Sequence, residues 1–117
     1  MAPAPYSPVA IADGWVAVSG QVPLRDGTFL NDKPFSEQVD AVLANVADRL
    51  AEVDATMADV VKATAFLTDM GDYPVLNERW IAAFPEPRPA RSCVAVAGLP
   101  FDVRVEVECW ARLPGEP

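Results

Sequence analysis

RSCVAVAGLPFDVRVEVECWA, residues 91–111, reads as two short strands around a turn, and the way its side chains divide between two faces decides what kind of sheet the chain builds. Side chains alternate along a strand, so Val103, Val105, Val107 and Cys109 share one face while Arg104, Glu106, Glu108 and Trp110 take the other. In the first run, Ser92, Val94 and Val96 are the set best suited to a core, which predicts Arg91, Cys93, Ala95 and Ala97 on the charged face beside Glu106 and Glu108. Two readings of that face stay open. Solvated ion pairs worth under about 1 kcal/mol each would account for the charges alone. A contact between subunits would also account for Trp110 and the alanines, which suit water poorly.

Upstream of this stretch, Pro85, Pro87 and Pro89 end a helix that Asp72 is expected to cap and whose stripe is Leu76, Trp80 and Phe84. The β-branched and aromatic run before it predicts a central strand over Val60–Thr68, entered through a capping turn at Thr56–Asp59. From Ser36 to Val53, Val39, Val42, Leu43, Val46, Leu50 and Val53 recur at spacings of three and four, the stripe of an amphipathic helix with Ser36 as its N-cap. Asp13-Gly14, between Val9–Ala12 and Trp15–Ser19, predicts a hairpin. Asp26-Gly27 predicts a second tight turn, with Pro23 closing the strand before it. The order is hairpin, helix, strand, helix, strand, strand, with no repeat or linker. It predicts a single α+β domain over residues 1–117, a sheet with two helices on one face.

Composition narrows the chemistry. With 51% hydrophobic and 22% charged residues the chain has the means to build a core. A net charge of −8 opposes phosphate backbones and anionic lipid, so neither nucleic acid nor membrane is an expected partner. No apolar run approaches the roughly 18 to 20 residues that span a bilayer, and the opening MAPAPYSP is unlike a secretory leader, which leads us to expect a cytoplasmic protein. Cys93 and Cys109 fall on opposite faces by the parity above, so no disulfide is expected. The chain has no histidine, which removes Ser-His and Cys-His nucleophile systems and the usual zinc and haem ligands. Carboxylate, guanidinium, thiol, hydroxyl and backbone remain.

The same residues resemble the YjgF/RidA family of enamine/imine deaminases. Its C-terminal signature, P-x-R-S-x-V-x-V-x-x-L-P followed after four residues by (V/L)-E-(V/I)-E, is filled by Pro89, Arg91, Ser92, Val94, Val96, Leu99, Pro100, Val105, Glu106, Val107 and Glu108. Ser19-Gly20-Gln21-Val22-Pro23 is similar to the family's S-G-Q-(I/V)-P turn, and Asn77-Glu78 to its N-E pair. The resemblance implies a chorismate-mutase-like fold, a mixed β-sheet with two helices packed on one face, assembled as a homotrimer with its site in the cleft between subunits. It implies hydrolysis of reactive 2-imino or enamine acids to 2-oxo acids and ammonia, without a cofactor or metal.

Carried over position by position, the resemblance makes Arg91 the bidentate partner of the substrate carboxylate, a task that suits a planar guanidinium. The backbone N–H of Cys93 adds a second contact, and the carbonyl of Gly20 holds the imine nitrogen. Glu106 orients or deprotonates the attacking water. Tyr6 closes the pocket and Asn77 lines it, while Glu108 is structural. Each has a plainer alternative: Gly20 as a turn glycine, Tyr6 as a surface aromatic, Asn77 as a helix hydrogen-bonder, Cys93 as a small filler. For the whole chain the alternative is a non-catalytic trimer that binds or shelters small carboxylates. Two departures, Pro8 where the family often has glutamine and the prolines at 85–89, border the implied pocket.

Overall fold

The computed structural model describes residues 4–115 and contains one five-stranded mixed sheet with two helices against one face. Strands β1 (Val9–Ala12) and β2 (Trp15–Gln21) form the expected hairpin, with Asp13 and Gly14 both at positive φ, as a two-residue turn of primed type requires. Asp26 and Gly27 repeat that geometry between the two-residue strands β3 (Leu24–Arg25) and β4 (Thr28–Phe29). Helix α1 (Phe35–Ala51), strand β5 (Val60–Leu67), helix α2 (Tyr73–Ala83), and strands β6 (Ala90–Ala95) and β7 (Val105–Arg112) complete the chain. The sheet order is β1-β2-β7-β5-β6, with β5 antiparallel to β7 and parallel to β6. The β5–α2–β6 crossover is what lays α2 over the sheet's β6 end.

The core lies between the sheet and the helices. Val39, Val42, Leu43, Val46 and Leu50 of α1 pack with Val16 and Val18 of β2 and Val105, Val107, Cys109 and Ala111 of β7. Leu76 and Trp80 of α2, with Phe84 at its end, close the other side over Ala63, Ala65 and Leu67 of β5. The helical stripes and the apolar face of β7 are those the spacing predicts, except that α1 ends at Ala51 and Val53 packs against the core from beyond the helix. Thr56 and Asp59 form a capping box ahead of β5.

Four local expectations are corrected. Helix α1 starts one residue early, because Pro34 supplies the N-cap position and its carbonyl accepts the amides of Glu37 and Gln38, so the Ser36 side chain has no capping role. Asp72 leaves α2 uncapped by its side chain, since its carboxylate binds Arg104 at 2.7 Å; Asp69 instead accepts from the amide of Gly71 in the preceding turn. Arg104 stands outside β7 and reaches the helix layer, 5.0 Å from the Phe35 ring, rather than joining Glu106 on the open face.

The fourth correction bears on function. Arg91 pairs with Ala63 and Cys93 with Ala65, and those alanines are buried under the helices, so Arg91 and Cys93 face the helix layer too. Ser92 and Val94 turn outward, onto the same side as Glu106 and Glu108. The predicted parity of β6 is therefore inverted. Its rule assumed that the bulkiest apolar set marks the core, but β6 is an edge strand whose outer face leaves Val94 43% exposed, and α2 offers Arg91 a polar and aromatic seat. Cys93 and Cys109 consequently share a face, as free thiols with β5 between them.

Leu67 ends the middle strand of the β7-β5-β6 trio and is fully buried. Leu67→Ala should lower the unfolding free energy by about 2 to 5 kcal/mol. Urea titrations of both proteins at one fixed concentration would check this, and a change under about 1 kcal/mol would mean the site collapses around the cavity.

Candidate functional site

Two separate clusters carry the chemistry. The first lies where α2 crosses β6. Tyr73, Asn77 and Trp80 are spaced i, i+4, i+7 and so project from one side of α2. Between them sits the Arg91 guanidinium. Its Nη2 donates to Asn77 Oδ1 at 2.7 Å and to the Tyr73 hydroxyl at 3.1 Å, and its central carbon lies 5.0 Å from the Trp80 ring centre and 5.4 Å from that of Tyr73. These partners hold a cation without neutralising it.

Four other arginines are paired with acids: Arg79 grips Asp40 with two bonds of 2.7 and 2.8 Å, Arg104 pairs with Asp72, Arg49 with Glu52 and Arg88 with Glu86. Arg25 and Arg112, like Arg91, form no salt bridge among the described residues. A partly buried, oriented guanidinium with donors to spare is an anion seat, and its planar fork suits a carboxylate. Cys93 lies two residues on, partly buried against the core; burial raises its thiol pKa, an effect that Arg91 only partly offsets, so the thiol is held in its protonated, unreactive form.

The second cluster is on the opposite face. A bulge in β2 between Val18 and Gln21 brings Gly20 against Glu106 of β7. A side chain at position 20 would start 2.6 Å from the Glu106 carboxyl carbon, so the carboxylate holds this position only because residue 20 is glycine, and any larger residue would make it shift. The carboxyl pKa is raised, first by burial and then by the neighbouring Glu108. Among the described residues no cation pairs with it. Such a carboxylate is a better base than an ordinary one, because it holds a proton more firmly.

Gly20 also lines a cleft of about 430 Å³ that runs past Tyr6, Val22 and Phe29 to Phe101. Tyr6 is 62% exposed at its rim. The predicted site residues thus fall into two groups, Tyr6, Gly20 and Glu106 in one place and Arg91, Asn77 and Cys93 in another. Strand β5 stands between β7 and β6, and Glu106 and Arg91 occupy opposite faces of the sheet. Asn77 is a direct partner of Arg91. Reading the sequence missed Tyr73, Trp80 and the Phe29–Phe101 pair; the Tyr73-Asn77-Trp80 spacing was the available signal, but Trp80 was absorbed into the core stripe.

Known proteins resemble this chain along nearly its whole length. The family described as endoribonuclease L-PSP matches residues 1–113. Reactive Intermediate Deaminase A of the Arabidopsis thaliana chloroplast is 38% identical over 111 residues, which cover 93% of this chain and 59% of that protein. The chain therefore spans under two thirds of that relative. The crystal structure of RidA from the Antarctic bacterium Psychrobacter sp. PAMC 21119 superposes with a TM-score of 0.89 at 34% identity, covering 97% of this chain and 92% of the other. E. coli TdcF, solved with bound serine, superposes with a TM-score of 0.88 at 33% identity over 97% and 91% of the two chains.

The Gly20–Glu106 contact is open to a direct test. Gly20→Ala should leave the fold intact by circular dichroism while pushing the Glu106 carboxylate toward solvent, which lowers its pKa toward the ordinary glutamate value. Carboxyl-detected NMR titration of the two proteins would show the downward shift. An unmoved titration would contradict the packing.

Proposed function

The chain belongs to the YjgF/RidA family, and on that premise we propose that it hydrolyses reactive 2-imino acids to 2-oxo acids and ammonia in a site built from two copies of itself. The observation that carries this reading is the Arg91 guanidinium, oriented by Asn77, Tyr73 and Trp80 and left without an acidic partner among the described residues. It supports a carboxylate ligand. A net charge of −8 offers no basic field for a phosphate backbone, which weighs against reading the family's endoribonuclease label as this chain's activity.

Arg91 and Glu106 lie on opposite faces of one sheet, so a substrate small enough to be a 2-imino acid cannot touch both within one chain. Two chains can supply them. The open face carries Trp110, 50% exposed, and Val94 beside the two glutamates, an apolar and charged mixture suited to an interface. We therefore place it inside a homotrimer, in which Arg91 of one copy meets Tyr6, Gly20 and Glu106 of the next.

In that site Arg91 and the Cys93 amide hold the substrate carboxylate, and the Gly20 carbonyl accepts a hydrogen bond from the imine N–H. Water adds to the carbon of the protonated imine while Glu106 takes a proton from the water, giving a neutral tetrahedral aminoalcohol. Glu106 then returns that proton to nitrogen, and the C–N bond breaks as the hydroxyl proton passes to Glu106 and on to solvent, releasing ammonia and the 2-oxo acid. One water is consumed and no electron acceptor is needed. Burial of Glu106 matches its basicity to this exchange better than solvent would.

A second reading has its own support. E. coli TdcF was solved with serine, a stable amino acid, which favours a family site that holds small carboxylates without turning them over. The decay of 2-iminopropanoate, generated by an amino-acid oxidase, distinguishes the two: acceleration by this protein supports hydrolysis, and binding of 2-oxo acids with no acceleration supports the binder.

Subunit mixing tests the shared site. Arg91→Ala and Glu106→Gln should each lose about 10² to 10⁴ in imine hydrolysis. Refolded together in equal amounts, they should regain activity in about one site in four, where an intact Arg91 meets an intact Glu106. No recovery on mixing would place both residues in one chain's site or neither.

The pH profile tests the base. Because Glu106 must be ionised, hydrolysis should fall with acid as it protonates, at a midpoint that burial and Glu108 raise and that an Arg91 already occupied by the substrate carboxylate lowers little. Glu106→Gln should abolish that limb along with most of the rate. A limb that persists unchanged in Glu106→Gln belongs to another group.

A further inference from the structure

We infer that Phe101, held over Phe29 by a turn pinned at Asn31, is the wall that reads the substrate's side chain, and that the cleft prefers 2-imino acids with bulky apolar side chains. The inference rests on the proposed function and adds the class of substrate. The cleft begins at Gly20, against which Glu106 is seated. With the reacting carbon at that end, its substituent extends along the cleft toward Val22, Phe29 and Phe101.

Most polar groups along the way are engaged. Asn45 donates to the carbonyls of Val22 and Leu24, each at 2.9 Å, and Arg49 pairs with Glu52 at 3.0 Å. Asp26 sits in an exposed turn. The wall left for a ligand is apolar, with Phe29 and Phe101 stacked at 4.5 Å and 22°. One polar atom is unsatisfied: the Arg49 Nε is buried with no hydrogen-bond partner. It is the feature that would favour an acidic side chain instead.

The placement of Phe101 is costly in backbone terms. Phe101 and Asp102 both adopt positive φ, 62° and 57°, which β-carbon-bearing residues resist. The Asn31 amide holds the turn by donating to the carbonyls of both, at 2.9 and 3.2 Å. What this arrangement secures is not a core contact. Phe101 remains 64% exposed, and neither ring joins the main hydrophobic cluster. Strain retained outside the core, on the wall of a cleft that also reaches Gly20, points to a role in ligand selection.

Calorimetry with stable product acids tests the inference on the intact protein. The probes are pyruvate, 4-methyl-2-oxopentanoate, phenylpyruvate and 2-oxoglutarate. The two large apolar acids should bind at least about tenfold more tightly than pyruvate, the scale on which a hydrophobic pocket discriminates. Phe101→Ala should erase most of that preference, and Asn31→Ala should reduce it by freeing the turn. Equal affinities, a preference for pyruvate or 2-oxoglutarate, no binding of any acid, or a preference that survives Phe101→Ala would each overturn it. The outcomes separate the two readings. Selective binding without imine hydrolysis would sink the deaminase and leave the side-chain wall, whereas hydrolysis of imines without discrimination would sink the wall alone.

Discussion

Strand β5 runs antiparallel to β7 on one side and parallel to β6 on the other, and its register settles where every charged group of the C-terminal stretch points. Opposite Ala63 and Ala65 it sets Arg91 and Cys93 on the helix side. Opposite Phe66 and Thr64 it sets Glu106 and Glu108 on the open side. A slip of one residue in either pairing would exchange those faces completely, because the side-chain period is two. The buried alanines and Leu67 beneath the helices hold the register, since any slip would expose them and bury Lys62 and Thr64.

The electrostatics follow from that division. Among the described residues no cation pairs with Glu106, so its pKa is raised by burial and then by Glu108. Arg91, likewise without a salt bridge among these residues, is accommodated by an amide oxygen, a hydroxyl and two aromatic faces. Placed side by side in one chain, as the sequence had suggested, the two would have paired with each other, lowering the carboxyl pKa and filling the anion seat. The sheet prevents that pairing within a chain. In the proposed assembly, where two copies bring them near, the substrate carboxylate occupies the guanidinium and Glu106 is left to the water.

The same separation makes a second copy part of the proposed chemistry. A face with a half-exposed tryptophan, an exposed valine and two carboxylates has no cover from its own helices, both of which lie on the other side. Covering that face and completing the site become one requirement. In this reading assembly and activity would be lost together on dilution, and neither could be tuned alone.

Much of this architecture was legible in the amino-acid order. Asp13-Gly14 and Asp26-Gly27 marked their turns because few residue pairs accept two successive positive φ values. The stripe from Val39 to Leu50 marked α1, and the alternation from Val103 to Cys109 assigned β7's faces correctly, because both patterns repeat long enough to overrule single exceptions. Arg91, Gly20 and Glu106 stood out through the family's spacing. What only the tertiary structure decided was the facing of β6. Its alternating small and branched residues carry little contrast, and the side on which α2 would cross depends on a contact between residues 73–80 and residue 91 that no local period encodes. The Asn31 pin on the Phe101 turn was hidden for the same reason: a hydrogen bond spanning 70 positions leaves no mark in the sequence near either end.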